Sequence, residues 1–391
     1  MDLSPAQRLQ KLPPYLFADL RRKMAEARRK GIEVITLGIG DPDRPTPDPV
    51  VEELVRAVAD PADPDRHRYG CDVPVAEFPR AARDFYCRRF GVHLPEGGLV
   101  PTMGSKDAIA KLGMALLDPG DLALAPEPGY PTYNISHTFA GAVTHYVPLL
   151  AANGFLPDLE AVPAHVRRLA RLLWLNYPNN PTTAVADLDF YRRAVDFARA
   201  NDILIASDLA YSENTYDGPP APSILQVEGA EEVAIEFFSL SKAFSMTGWR
   251  IGCAVGHPGA VAALRTVKEN IDNGTLRAVQ LAGARALDLA EELVPPINAV
   301  YRRRRDLVVD TLNGLGWELD RPPATIYVWA PVPPRFAGDS GAFAADLLEK
   351  TGVVVTPGRA YGEHGEGFFR ISLTYPDEVL EKAMALLAQR L

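Results

Sequence analysis

Between residues 122 and 256 the sequence returns repeatedly to short, nearly unbroken apolar runs: LALAPE, AVTHYV, RLLWLNYP, ILIASD, VAIEFFS and IGCAVG. Amphipathic helical patterns precede and interrupt them, at 106–117 and 187–200. A strand with one wet face alternates apolar and polar residues, whereas a strand apolar throughout is covered on both faces. The pattern therefore predicts an α/β domain over about 47–290, its largely parallel sheet lying between two helical layers. EELVPPINAV, at 291–300, reads as a break, because consecutive prolines remove two helical donors. Beyond it, a helix at 300–315, the strands TIYVWAPV, VVVTPG and GFFRISLT, a helix from 341 and a last helix predict a smaller α+β domain. The strand near 34–38 is assigned to that unit, giving 31–46 plus 291–391, and residues 1–30 form an N-terminal arm.

Charge and cysteine usage narrow the class. A net charge of -9 without a dominating basic patch argues against nucleic-acid binding. The cluster Arg302 to Arg305 reads as a solvated helix face. Cys71, Cys87 and Cys253 have no metal-ligand spacing and point to a reducing compartment; no metal is expected. No run reaches the ~18 apolar residues that span a bilayer. The expectation is a cytoplasmic protein without a membrane partner.

Ligands of open α/β sheets bind beyond the carboxyl ends of the strands. After GLVPTM come Gly104, Ser105 and Lys106 at a helix start, where backbone N–H groups are free for an anion. A plain Ser105 N-cap is the simpler reading of that turn. PGYPTY, after LALAPE, offers Tyr130 to stack on a flat ring. NYPNNPT, after RLLWL, offers Asn180; Asp208 and Tyr211 follow ILIAS. SLSKAFSMTGWR, after VAIEFF, carries Ser239, Lys242 and Arg250. Each loop alone would mean little, but their convergence defines a chemistry. A desolvated lysine forms a Schiff base with an aldehyde. An arginine, serine hydroxyls and a helix N-terminus hold a phosphate dianion. A carboxylate keeps a pyridine nitrogen protonated, so that the ring accepts electrons. A phenol and an amide bond the ring oxygen. Together these groups describe a pyridoxal 5'-phosphate site.

The motifs LGIGDP, HRYG, GSKD, PGYPTY, NYPNNPT, SDLAYSE, SLSKAFSMTGWRIG, NIDNGT and GFFRISL occur in this order over nearly the whole chain. The sequence resembles the class I/II (fold type I) aminotransferases, in the branch that holds the LL-diaminopimelate aminotransferases. That resemblance implies a large domain with a mostly parallel seven-stranded sheet and a smaller α+β domain. It implies Lys242 as the residue that binds the cofactor aldehyde and moves the substrate proton, and Asp208 as the partner of the pyridinium nitrogen. Tyr211 and Asn180 would bond the ring oxygen, and Tyr130 would stack on the ring. Gly104, Ser105, Lys106, Ser239 and Arg250 would surround the phosphate, with Tyr69 reaching in from a second subunit. Arg370 would clamp the substrate α-carboxylate, helped by Asn180 and the backbone of Gly40. Asn273 would come from the partner subunit of a homodimer, and Asp72 would read a distal ammonium.

The resemblance implies ping-pong transfer of an α-amino group from an L-amino acid to a 2-oxo acid. LL-diaminopimelate, or alanine or aspartate, is expected with 2-oxoglutarate. A carbon–sulfur β-lyase on the same scaffold is the alternative. A non-catalytic cofactor-binding regulator would need an added DNA-binding domain, and only about 30 residues precede the first strand. Three positions depart from the family pattern: Pro74 and Thr183 replace glycines, and Pro79 replaces an arginine. The two prolines place the substrate-facing loop in question.

Overall fold

The computed structural model describes residues 3–12, 16–70, 75–95 and 97–390. Its strands are β1 (Ile35–Thr36), β2 (Leu99–Thr102), β3 (Leu122–Glu127), β4 (Val143–Pro148), β5 (Ala170–Asn176) and β6 (Leu204–Asp208). They continue as β7 (Ala234–Ser239), β8 (Gly252–Gly256), β9 (Tyr327–Pro331), β10 (Val353–Val354), β11 (Thr356–Pro357) and β12 (Phe368–Ser372). Seven form one sheet in the order β2-β8-β7-β6-β5-β3-β4. The pairs from β4 through β7 are parallel, and β8 runs antiparallel to both of its neighbours. The carboxyl ends of β2, β3, β5, β6 and β7 therefore share one edge.

The period of two sorts the sheet's side chains between two layers. Leu173, Leu175, Ile205 and Phe238 pack with helices Glu77–Phe90 and Leu188–Asn201. Their neighbours Leu172, Trp174, Ala206 and Phe237 pack on the opposite face with helices Ser105–Leu116 and Pro258–Ile271. Asp187 caps Leu188–Asn201 by accepting the Phe190 N–H at 2.7 Å, as its place before an apolar helical pattern predicts.

A separate core gathers Ile35 and Leu37 with residues from Ile297 onward, including Val308, Phe343, Phe369 and Leu380. There β1 lies parallel to β10, and β12 lies between β11 and β9 in an antiparallel sheet. Ala27 and Met24, in helix Leu16–Arg29, pack on Leu348 and Val354 of this region.

Two expectations are corrected. The predicted break at 291–300 is helical: one helix runs Ala290–Gly314, with Pro295 and Pro296 inside it. Both prolines lie in its early turns on the solvent side, so the carbonyls they leave without donors stay open to water. The arginine cluster is only half solvated. Arg304 and Arg305 are buried, Arg304 bridging Asp43 and Asp377 and Arg305 pairing with Asp217 and Asp306. Pro79 falls in the first turn of Glu77–Phe90, where no intrahelical donor is needed. Pro74 lies outside the described residues. Among the described residues no helix is long and apolar enough to cross a membrane.

Candidate active site

The shared edge of the sheet opens into a cavity of about 1120 Å³, closed on its other side by residues of the second core. Ser105, Lys106, Tyr130, Asn180, Asp208, Tyr211, Ser239, Lys242, Arg250, Gly40 and Arg370 all line it. The sequence-predicted strand-end residues thus meet in one place.

Lys242 lies in the short helix Leu240–Ala243 that follows β7. Its Nζ donates to the Gly40 carbonyl at 2.7 Å. Burial pulls its pKa below the ordinary lysine value, and the neighbouring Arg370 and Arg250 act in the same direction. Asp208 ends β6, level with Asn176 of β5. The Asn176 amide donates to the Asp208 carbonyl at 2.8 Å and its Oδ1 accepts the Asn180 N–H at 2.9 Å, tying two strand ends together. The Asp208 carboxylate is buried; Oδ2 accepts the Tyr133 hydroxyl at 2.8 Å, while Oδ1 has no partner among the described residues. Burial pushes its pKa up to about 6, against the hydrogen bonds from Tyr133 and the Ala210 backbone.

Gly104, at φ +75°, rather than Ser105 is the N-cap of helix Ser105–Leu116. It makes no side-chain cap, so the first N–H groups of that helix face the cavity wall uncapped. A Cβ at residue 104 would stand 3.0 Å from Arg250 Nη2, which shows how closely that guanidinium approaches the turn. Arg250 donates to the carbonyls of Thr247 and Met103, each at 3.0 Å. Ser239 and Ser241 complete this corner, the former accepting the Ser241 N–H at 3.3 Å. Tyr130 stands edge-on to Tyr133, and burial pushes its phenol up to about 12.

Arg370 is buried on β12. It donates to Asn180 Oδ1 at 2.7 Å and to the Gly38 carbonyl at 2.8 Å, while its Nε has no partner among the described residues. Its guanidinium lies 3.9 Å from the Tyr327 ring centroid and 5.0 Å from that of Tyr361. The nearby groups that raise its pKa are tyrosines, so this is not the buried ion pair that an arginine between apolar residues would otherwise be. The Gly38 carbonyl accepts from Arg370, and the Gly40 carbonyl, in the same cavity wall, accepts from Lys242. The stretch 38–41 is fixed by side chains acting on its backbone. Thr356 Oγ1 donates to the Gly38 carbonyl, Thr374 Oγ1 to the Ile39 carbonyl, and Tyr375 OH accepts the Ile39 N–H.

Tyr69 and Asn273 are exposed and do not line this cavity. Asp72 lies outside the described residues. Four contributors escaped the sequence reading: Asn176, Tyr133, Tyr327 and Tyr361. Tyr133 had a signal, since it lies three residues beyond Tyr130 on the turn that opens helix Thr132–Ala140. Tyr211 OH meets Tyr327 OH at 3.0 Å, across a chain separation of 116 residues that no local pattern reveals.

Over residues 32–387 the chain matches the family described as Aminotransferase class I and II. It is 50% identical over 383 residues to the LL-diaminopimelate aminotransferase of Moorella thermoacetica, covering 98% of this chain and 97% of that protein. The LL-diaminopimelate aminotransferase of Desulforudis audaxviator is 51% identical over 386 residues, again covering 98% and 97%. Substrate-bound BacF from Bacillus subtilis has the same fold, with a TM-score of 0.92 at 36% identity over 100% of this chain and 98% of its own. Thermus thermophilus aspartate aminotransferase with maleate gives 0.88 at 31%, over 100% of both chains. These relatives support amino-group transfer and not carbon–sulfur elimination. Such identity runs almost from end to end, on a fold type I architecture with its cavity at the strand ends, and the chain belongs to the class I and II aminotransferases.

Proposed function

We propose that this aminotransferase works through pyridoxal 5'-phosphate and exchanges the α-amino group of LL-diaminopimelate with a 2-oxo acid, 2-oxoglutarate in the first instance. The observation that carries the reading is Arg370: a buried cation in the same cavity as Lys242, whose Nε has no partner among the described residues and whose two Nη atoms each keep one N–H beyond their bonds to Asn180 and Gly38. Such a fork accepts a carboxylate in two parallel bonds.

The residues present fit the cofactor. The buried Asp208 Oδ1 lacks a donor among the described residues, and a protonated pyridine nitrogen would supply one. The uncapped start of Ser105–Leu116, with Ser239, Ser241, Arg250 and Lys106, suits a phosphate dianion. Pyridoxal phosphate, when bound, supplies the electron sink that makes the substrate α-hydrogen acidic. The chain supplies the rest. Asp208 would hold the proton at the ring nitrogen. Tyr211 and Asn180 would donate to the ring oxygen, and Tyr130 would supply an aromatic wall to the ring. Arg370 would hold the α-carboxylate in the cavity it shares with Lys242. Lys242 Nζ, whose burial lowers its pKa from the ordinary lysine value, would take and return the α-proton.

The substrate preference follows the curated relatives, which share half of this sequence and are LL-diaminopimelate aminotransferases. Exposed Tyr69 and Asn273, both outside the chain's own cavity, fit a homodimer in which each subunit completes the other's site. The free thiols Cys87 and Cys253 suit a reducing, cytoplasmic setting. The test mixes the yellow holoenzyme with single amino acids and no acceptor, following cofactor absorbance over one turnover together with oxo-acid release. LL-diaminopimelate is expected to discharge the colour fastest. A faster alanine or aspartate would overturn the substrate, and the absence of any coloured cofactor would overturn the cofactor.

A further inference from the structure

Glu127 closes β3 with its side chain in the cavity wall, buried to 7% exposure. Its Oε2 accepts twice from one residue: the His364 ring at Nδ1, 2.5 Å away, and the His364 backbone N–H at 3.4 Å. His364 lies in the turn Glu363–Gly365, which belongs to the second region, 237 residues further along the chain. A second bond runs beside the first, from the Gly129 N–H to the Tyr361 carbonyl at 3.1 Å. Gly362 stands between them at φ +118°, where a Cβ would come within 2.2 Å of the Glu127 side chain. Only glycine permits both that φ and that approach.

The two residues so joined already have places in the site. Gly129 precedes Tyr130. Tyr361 lays its ring against the Arg370 guanidinium and receives the edge of Trp329. An exposed ion pair contributes little, but the acceptor here is buried and faces the cavity. With alanine at residue 364, the buried Glu127 carboxylate would lose its ring donor and keep only the long backbone N–H contact at 3.4 Å, leaving an under-satisfied acceptor in the cavity wall. The turn that carries Tyr361 would lose its side-chain anchor at the same time and be held to β3 by backbone bonds alone.

We propose that His364 and Glu127 are positioning residues that clasp the turn 361–365 to the end of β3, seat Tyr361 against Arg370, and thereby set the affinity for the substrate α-carboxylate. This rests on Arg370 as the carboxylate site, so two independent readouts are needed. The variants are His364→Ala, which removes the ring donor, and His364→Asn, whose amide places an N–H near the position of Nδ1. In holoenzyme, His364→Ala is expected to raise KM for both the amino acid and the oxo acid by about tenfold and to leave kcat within about twofold. His364→Asn is expected to stay within about threefold of the wild type in KM. Backbone hydrogen exchange over 358–366, measured without substrate, is expected to speed up in His364→Ala and not in His364→Asn. Unchanged KM in His364→Ala, a loss confined to kcat, or equal damage from both substitutions would each overturn the proposal. If the wild type turned over no amino acid, the proposed function would fall, and unchanged exchange in His364→Ala would still overturn the clasp on its own.

Discussion

Two buried carboxyls with different company show how a single residue is set to its task. Asp208 has one side-chain donor, Tyr133, and an oxygen left for a ligand. Glu236, on β7, accepts from Tyr86, Ser207, Ser223 and the Ile224 N–H, and none of its oxygen is left for anything else. Burial still prevails over those four donors and pushes the Glu236 pKa up to about 7. A raised carboxyl pKa means that the folded chain keeps a proton which the unfolded chain releases from about pH 4.5 upward. The resulting stabilisation is complete below that pH and is lost as pH rises to about 7, an effect of about 3 kcal/mol. Glu236→Gln is expected to abolish this slope. Urea unfolding at pH 4.5 and 7.5 checks it, and parallel pH dependence in the two proteins would refute it. His137 is the converse: a core histidine between Trp174 and Thr144 whose pKa burial lowers to about 4. No local pattern reveals these partners, because both lie on other elements and the Trp174 contact forms only when the sheet does.

At the level of elements, the strands and their order of use were legible because apolar runs and helical periods are local. So was the line of strand ends, since each turn carries its own polar residues. What failed was whatever depends on distant partners or on tolerance. The burial of Arg304 is decided by Asp43 and Asp377, 261 and 73 residues away. Pro295 and Pro296 look like a stop, but the helix accepts them on its wet side. Thr183 is a departure whose physical cost is now visible. It closes the turn after β5 at φ +65°, a conformation that a β-branched residue adopts only under strain. Thr183→Gly is expected to stabilise the protein by about 1 kcal/mol, because strain relief outweighs the added freedom of the unfolded chain. A rise in the urea midpoint with activity retained is the expected result; a fall would mean that the Thr183 side chain contributes more packing than its backbone costs.

In the whole molecule, the cavity is shared between two cores: the parallel sheet presents Lys242 and Asp208, and the second region presents Arg370 and the 38–41 stretch. Helix Asp48–Ala59 buries Val50 and Ala57 against the large core yet turns Val51, Val55 and Val58 outward, with Val55 58% exposed. Three valines on one outer face, together with Tyr69 at 67% exposure, form the apolar patch on which the proposed homodimer would close. Val55→Glu should leave the monomer fold intact and weaken self-association about 100-fold, because dimerisation would bury an unpaired charge. Sedimentation at micromolar concentration checks this, and an unchanged dimer would place the interface elsewhere. The handling of residues 38–41 has a wider consequence. Their carbonyls and N–H groups, rather than their side chains, hold Arg370, Lys242 and the neighbouring threonines. Ile39 contributes its backbone to that framework while its side chain stands in the cavity, 44% exposed. Its identity is thus uncoupled from the scaffold. A substitution at residue 39 therefore reshapes the cavity wall while the backbone bonds that hold Arg370 and Lys242 stay as they are.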